Sequence, residues 1–159
     1  MKKTILFLIL SSLIYAGGEP FLAGKKNFGV TVGTDNSFGN SYTVVGANVN
    51  YYVIDNLSVG ASYNAFLGDS PNINEVTVPV TYHIPIEGVS YRPYVGAFYN
   101  QTSIDTPYDD YNIWGGRIGV SLQTSMNSFM SLGWVQEFST SDKNREKKGY
   151  PEISAGFSF

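Results

Sequence analysis

The chain has 159 residues, a net charge of −3 and no cysteine, with charged residues at 14% and aromatics at 15%, among them 12 Tyr and 10 Phe. So few charges cannot clothe an ordinary water-facing surface, and the missing thiols exclude a disulfide framework and a thiolate metal site. The mild acidity argues against nucleic-acid binding, which needs clustered Lys and Arg to displace counterions from phosphate.

Taken from the start, Met1, Lys2 and Lys3 precede an apolar run from Ile5 to Leu10 that continues through Leu13 and Ile14 and ends in Tyr15, Ala16 and Gly17. This pattern predicts a secretory signal peptide over residues 1–16, cut after Ala16, and export by the general secretory pathway. The apolar stretch is too short to span a bilayer comfortably as a retained helix. Cleavage removes Lys2 and Lys3 and takes the net charge from −3 to −5. Residues 17–26 then form a short periplasmic N-terminal segment, too small for a peptidoglycan-binding domain, and residues 27–159 form the body.

In the body, apolar residues recur at every second position, and clusters of Gly, Asn, Asp, Ser and Pro bound each run, which is the signature of half-exposed strands. Strand one carries Phe28, Val30 and Val32, and is short unless it extends into its polar flanks. Strand two carries Val45 to Val53 and strand three Leu57 to Ala65, both on odd numbers. In strand four Val76, Val78, Val80, Tyr82 and Ile84 alternate with Glu75, Thr77, Pro79, Thr81 and His83. Strand five carries Tyr91 to Tyr99, strand six Trp114, Ile118, Val120 and Leu122, strand seven Met130, Leu132, Trp134 and Phe138. Strand eight carries Ile153, Ala155, Phe157 and Phe159, an even total. Tight links are expected at Asp55-Asn56, Pro85 to Gly88 and Ser125 to Ser128, and more polar loops at Asp35 to Ser41, Gly68 to Asn72, Ser103 to Asp110 and Ser139 to Gly149.

Alternation alone does not say which face is outside, because a soluble barrel alternates with its apolar residues inward. The polar face decides. It carries Gly29, Thr31, Asn48, Asn50, Ser58, Ser62, Asn64, Gly119, Ser131 and Ser154, which are small and neutral, where a solvated face would carry Lys and Glu. The polar face is therefore the lumen and the apolar face meets lipid. The expected fold is all-β, an eight-stranded antiparallel up-and-down transmembrane barrel whose narrow lumen is filled by side chains. Tyr42, Tyr51, Tyr63, Tyr82, Tyr91, Tyr99, Tyr111, Trp114, Phe138 and Phe159 lie toward strand ends and predict an aromatic girdle, with Trp134 nearer mid-strand.

Over residues 27–159 the pattern resembles the small eight-stranded outer-membrane barrels of the opacity, attachment and virulence-related porin superfamily. Its most specific piece is the segment from Ile153 to Phe159, which looks like the signal read by the barrel assembly machinery, with Ile153, Phe157 and the terminal aromatic Phe159 as its apolar positions. Where many members of that group have a glycine, this chain has Ser154, with Gly156 nearby. The resemblance implies residence in the bacterial outer membrane, contact with its lipid and lipopolysaccharide, and assembly by that machinery.

Five charges fall on the inner face, Glu75, Arg92, Arg117, Glu137 and Glu152. Each would be costly alone in a weakly hydrated interior, so a salt-bridge network is expected, with Arg117 central among Glu137 and Glu152. It either fixes the barrel or gates a thin water path. His83, the sole histidine, is expected as a hydrogen-bonded rim residue and makes a poor metal site alone. In the last loop Lys143, Arg145, Lys147 and Lys148 form a basic cluster suited to lipopolysaccharide phosphates or an acidic partner, or simply to water. Asp105, Asp109 and Asp110 lack the turn glycine of a calcium loop, so no metal and no cofactor are expected. Enzymes do occur on such scaffolds, but none of the last forty residues is a histidine and His83 lies at the wrong rim, so no catalytic site is expected. A structural or surface-interaction role is the leading expectation, with a narrow channel for ions or very small solutes as the alternative, and the surface ligand stays open.

Overall fold

A computed structural model describes residues 20–37, 40–68, 70–105, 109–139 and 148–159. The signal-peptide segment and Lys143, Arg145 and Lys147 lie outside the described residues. The strands are β1 (Lys26–Ser37), β2 (Asn40–Ile54), β3 (Leu57–Leu67), β4 (Ile73–His83), β5 (Tyr91–Ile104), β6 (Tyr111–Gln123), β7 (Ser128–Ser139) and β8 (Lys148–Ser158). Each pairs antiparallel with its sequence neighbours, and β8 returns to β1, so the sheet closes into a barrel without a crossover.

The connectors alternate as expected. Asn56 takes a left-handed φ of 67° in the two-residue link from β2 to β3, a conformation asparagine tolerates better than most residues. At the same end, Gly88 (φ 77°) serves the β4–β5 link, and the hydroxyls of Thr124 and Ser125 meet Ser128 Oγ at 2.8 and 2.7 Å in the β6–β7 link. Both ends of the barrel domain lie here too, joined by Lys26 N to Phe159 O at 3.0 Å and Phe159 N to Lys26 O at 2.9 Å. This is the terminal end, and the opposite one is the far end. The strands run further toward the far end than the sequence suggests. β1 continues to Ser37 and β2 starts at Asn40, so most of the expected loop Asp35 to Ser41 is ladder, and β5 reaches Ile104 inside the expected loop from Ser103. There the backbone of polar residues continues the ladder, which composition alone does not reveal.

Burial is inverted relative to a soluble barrel. In β4 the residues Glu75, Thr77, Thr81 and His83 are buried, while Val76, Val78, Val80 and Tyr82 are exposed. Outward side chains such as Val32 (58%), Ile118 (63%) and Leu132 (61%) stay as open to the surroundings as surface residues, in a belt around the wall. An apolar belt of that extent is what the lipid-facing wall of a transmembrane barrel presents. Tyr51, Tyr63, Tyr82, Tyr91, Tyr99 and Trp114 all point outward, and Phe138 stacks on Trp114 with ring centroids 4.7 Å apart.

Tyr42 and Tyr111 do not join this outer set. Tyr42 is 1% exposed and packs with Ile73 and Ile104 inside the far end, where Phe66 and Tyr111 lean against the cluster. Strand parity explains the difference, because Tyr42 shares its face with Gly46 and Asn48, and Tyr111 with Ile113 and Arg117.

Bulky inward side chains fit because a glycine faces them across the strand pair. Tyr94 opposes Gly119, Phe98 opposes Gly115 and Phe129 opposes Gly156. Asparagines use the same device, with Asn48 against Gly29, Asn64 against Gly46 and Asn50 against Gly60. A Cβ on Gly156 would stand 2.6 Å from the Phe129 ring, and one on Gly29 would stand 2.8 Å from Asn48 Oδ1. Large residues therefore lie flat over the missing side chains, which is how a sheet of small radius accommodates them.

Candidate functional site in the barrel lumen

The terminal mouth is closed by a strap of the chain's own backbone, residues 20–25. Phe21 is 0% exposed. Its ring stacks on His83 with centroids 4.4 Å apart and lies 5.6 Å from Phe129 and 6.0 Å from Tyr52, so it touches strands on opposite sides of the barrel. The Arg92 guanidinium stands 5.0 Å over the same ring, a cation–π arrangement, and donates to Asn56 Oδ1 at 2.5 Å. Backbone bonds hold the strap in place, with Asn56 N donating to Phe21 O at 2.7 Å and Gly24 N to Tyr52 O at 2.8 Å. Ala23 N donates to Asp55 Oδ1 at 2.8 Å. His83, at the terminal rim, is buried against Phe21, borders the lumen above it and meets Tyr52 Oη through Nδ1 at 3.5 Å.

Above this floor the lumen holds a cavity of about 400 Å³. The expectation of a lumen filled by side chains is corrected here. On one wall β1, β2 and β3 present Gly29, Thr31, Asn48, Ser58, Ser62 and Asn64 to the cavity, and their small side chains stop short of its centre. The facing wall carries the bulk, with Tyr94 and Phe98 on β5.

The charged side chains that border the cavity among the described residues are Glu75, Arg117, Glu137 and Glu152. Arg117 Nη1 lies 3.5 Å from Glu152 Oε1, and its guanidinium stands 5.5 Å over the Phe98 ring. Glu137 accepts from Tyr150 Oη at 3.0 Å. Glu75 accepts from Thr102 Oγ1 at 3.3 Å and Asn64 Nδ2 at 3.5 Å. Arg92 is elsewhere, because Arg117 faces Gly96 on β5, four residues further along the strand than Arg92. The five inward charges thus divide between the cavity and the floor.

Ile153 and Phe157 point outward at 55% and 60% exposure, and Phe159 follows the last strand. Lys148 opens β8. Asp110 serves the loop backbone, accepting from Ile104 N at 3.0 Å, and Asp105 accepts from Asn72 Nδ2 at 2.6 Å. No group of three metal-ligating side chains occurs among the described residues. Sequence reading missed Phe21, Tyr94, Phe98, Phe129 and Tyr150 as lumen residues. For the four on strands the signal was present, since parity puts them on the inner face and three of them oppose a glycine. For Phe21, before the first strand, no periodic signal exists.

No protein-family model matches the sequence, and no curated protein sequence matches it. Solved structures do match in shape. The N-terminal β-barrel domain of Pseudomonas aeruginosa OprF superposes with a TM-score of 0.69 at 16% identity, over 86% of this chain and 98% of that one. Neisserial surface protein A gives 0.59 at 18% identity, over 84% and 94%. Ail, the attachment invasion locus protein of Yersinia pestis, gives 0.53 at 12% identity, over 87% and 100%. At these identities the likeness is one of fold, and the chain has the closed eight-stranded up-and-down architecture of small outer-membrane β-barrels.

Proposed function

We propose that the chain is an integral protein of the bacterial outer membrane, exported through the general secretory pathway, with a structural or surface-interaction role and no catalytic one. The observation that carries the reading is the inverted wall, in which valines and leucines stand exposed outside while glutamates, asparagines and serines are buried inside. Similarity in shape to a surface protein and to an attachment protein supports it. The terminal end is then periplasmic, and the far-end loops, including the basic Lys143, Arg145, Lys147 and Lys148, face the cell exterior, where lipopolysaccharide phosphates suit them. Ile153, Phe157 and Phe159 suit recognition by the assembly machinery. Catalysis is disfavoured because His83, the sole histidine, stacks on Phe21 and packs against Tyr52 at the floor of the lumen, far from the loops of the far end.

A narrow channel is the second reading, favoured by the cavity of about 400 Å³. Phe21 and its strap stand against it as an open state. The test of both is refolding of the mature chain into lipid vesicles, with heat-modifiable gel mobility as the sign of an intact barrel, followed by conductance in planar bilayers. A folded, inserted and electrically silent barrel is expected. Failure to insert sinks the membrane reading, and steady openings promote the channel.

A further inference from the structure

One row of the inner wall can be followed from strand to strand across the closing seam. Phe129 on β7 opposes Gly156 on β8, Gly156 opposes Gly29 on β1, Gly29 opposes Asn48 on β2, and Asn48 opposes Ser62 on β3. The ring and the amide lean toward each other over the two bare glycines. A Cβ on Gly156 would stand 2.6 Å from the Phe129 ring, and one on Gly29 would stand 2.9 Å from Asn48 Nδ2. Directly opposed residues have Cβ positions about 4.5–5.5 Å apart, so the ring and the amide form one continuous platform.

The exposure of the side chains shows which of them the cavity reaches. Within a closed wall an inward side chain can be exposed only to the lumen. Asn48, Asn50 and Ser62 are partly exposed there, while Thr77, Thr81 and His83, inward on β4, are buried. Phe129, whose ring lies 5.6 Å from that of Phe21, is partly exposed too and borders the same cavity. Asn50 Nδ2 donates to Asn48 Oδ1 at 3.0 Å, which fixes the Asn48 amide and leaves its Nδ2 without a protein partner among the described residues. The charges around the cavity are engaged by other side chains. Arg117 stands beside Glu152 at 3.5 Å, Tyr150 donates to Glu137, and Thr102 and Asn64 donate to Glu75.

We propose that this row is a binding site for one neutral cyclic polyol of the monosaccharide class, with its C–H face on Phe129 and its hydroxyls on Asn48, Asn50 and Ser62. A flat aromatic ring suits the apolar face of such a molecule, and amides and hydroxyls, which both donate and accept, suit its rim. A charged ligand would give up its water without gaining a free counter-charge, so the site favours a neutral one. The volume of about 400 Å³ lies in the usual range of small-molecule pockets, roughly 300–1,000 Å³, and suits one sugar ring rather than a chain of them. The site needs the closed barrel and its cavity alone, so it stands whether or not the lumen conducts.

The probe is D-glucose, titrated into the mature chain in micelles of dodecylphosphocholine, a detergent without a sugar head, after heat-modifiable mobility has verified the folded barrel. Nuclear magnetic resonance should show saturable shifts centred on the Asn48 side-chain amide and the Phe129 ring. Asn48→Ala should weaken the binding about tenfold, the upper scale of one net hydrogen bond. Phe129→Leu should weaken glucose by a similar factor and leave the weaker binding of glycerol, which has no ring face, unchanged. Shifts that never saturate, or that do not centre on this row, overturn the site. Equal affinity for glucosamine in its cationic form or for glucuronate overturns the neutral ligand, and equal affinity for glycerol overturns the stacking on Phe129. Should a variant fail to fold, the shift map and the ligand series of the unaltered chain decide. A chain that forms no barrel overturns the fold and the site with it.

Discussion

The side chain of Tyr94 on β5 lies across Gly119, its partner on β6, with the phenol oxygen 2.6 Å from where a Cβ on that glycine would stand. The same Cβ would meet Gly133 Cα at 2.6 Å, and backbone cannot swing aside. Gly119→Ala should therefore lose about 1–3 kcal/mol, the usual cost of overpacking. Gly116→Ala is the contrast, because that Cβ would be outward and 3.7 Å from Gly96 O, so stability should stay within about 0.5 kcal/mol. Urea unfolding of both variants in vesicles, followed by gel mobility, measures the difference. Equal losses would mean that the Tyr94–Gly119 fit is not what limits packing.

Strand number, closure and the direction of each face were legible in the sequence, because period-two alternation is dictated by the pleat and needs no tertiary information. Val76 to Ile84 illustrates this, every second residue facing lipid. Less legible was how far strands extend at the far end, since Asp35, Asn36 and Ser37 read as loop residues yet pair with Tyr42, Ser41 and Asn40. The lumen was legible in polarity but not in volume. Its polar residues are named by parity, whereas the cavity depends on which wall carries Tyr94 and Phe98 and which carries only Ser, Thr and Gly. Phe21 was invisible because its burial is decided by the barrel it closes.

Arg117→Ala removes the partner of Glu152 at 3.5 Å and the cation over Phe98, and leaves a carboxylate facing a confined space. Both side chains keep some exposure, 21% and 13%, so the cost should sit below that of breaking a fully buried pair, at about 1–3 kcal/mol. The double variant Arg117→Ala with Glu152→Gln should recover part of it. A double-mutant cycle on unfolding free energies tests this, and strict additivity would show that the pair contributes nothing as a pair.

Phe21→Ala takes away a ring in contact with His83, Tyr52, Phe129 and Arg92. A large-to-small change at a fully buried phenylalanine costs about 3 kcal/mol or somewhat more. The barrel should still form, because β1 to β8 pair without the strap. Planar-bilayer recordings should then show small openings absent from the parent chain, since the ring is the floor beneath the cavity. Unchanged silence together with the stability loss would assign Phe21 to holding the base of the barrel and nothing more.

Val49 gives the sharpest test of which solvent surrounds the wall. It sits in the middle of β2, points outward and is 54% exposed, between inward Asn48 and Asn50. On a water-facing surface Val49→Arg would be neutral or would improve solubility. In lipid an arginine near the midplane of a transmembrane strand costs about 2–4 kcal/mol, whereas a change on the lumen face of the same strand carries no such depth-dependent penalty. The variant should therefore show a lower folding yield and a lower unfolding midpoint in vesicles, and the deficit should shrink when the charge is moved to the strand end at Val53, where a long side chain reaches the headgroups. Equal stability of Val49→Arg, Val53→Arg and the parent chain would place the apolar face in contact with something other than a bilayer.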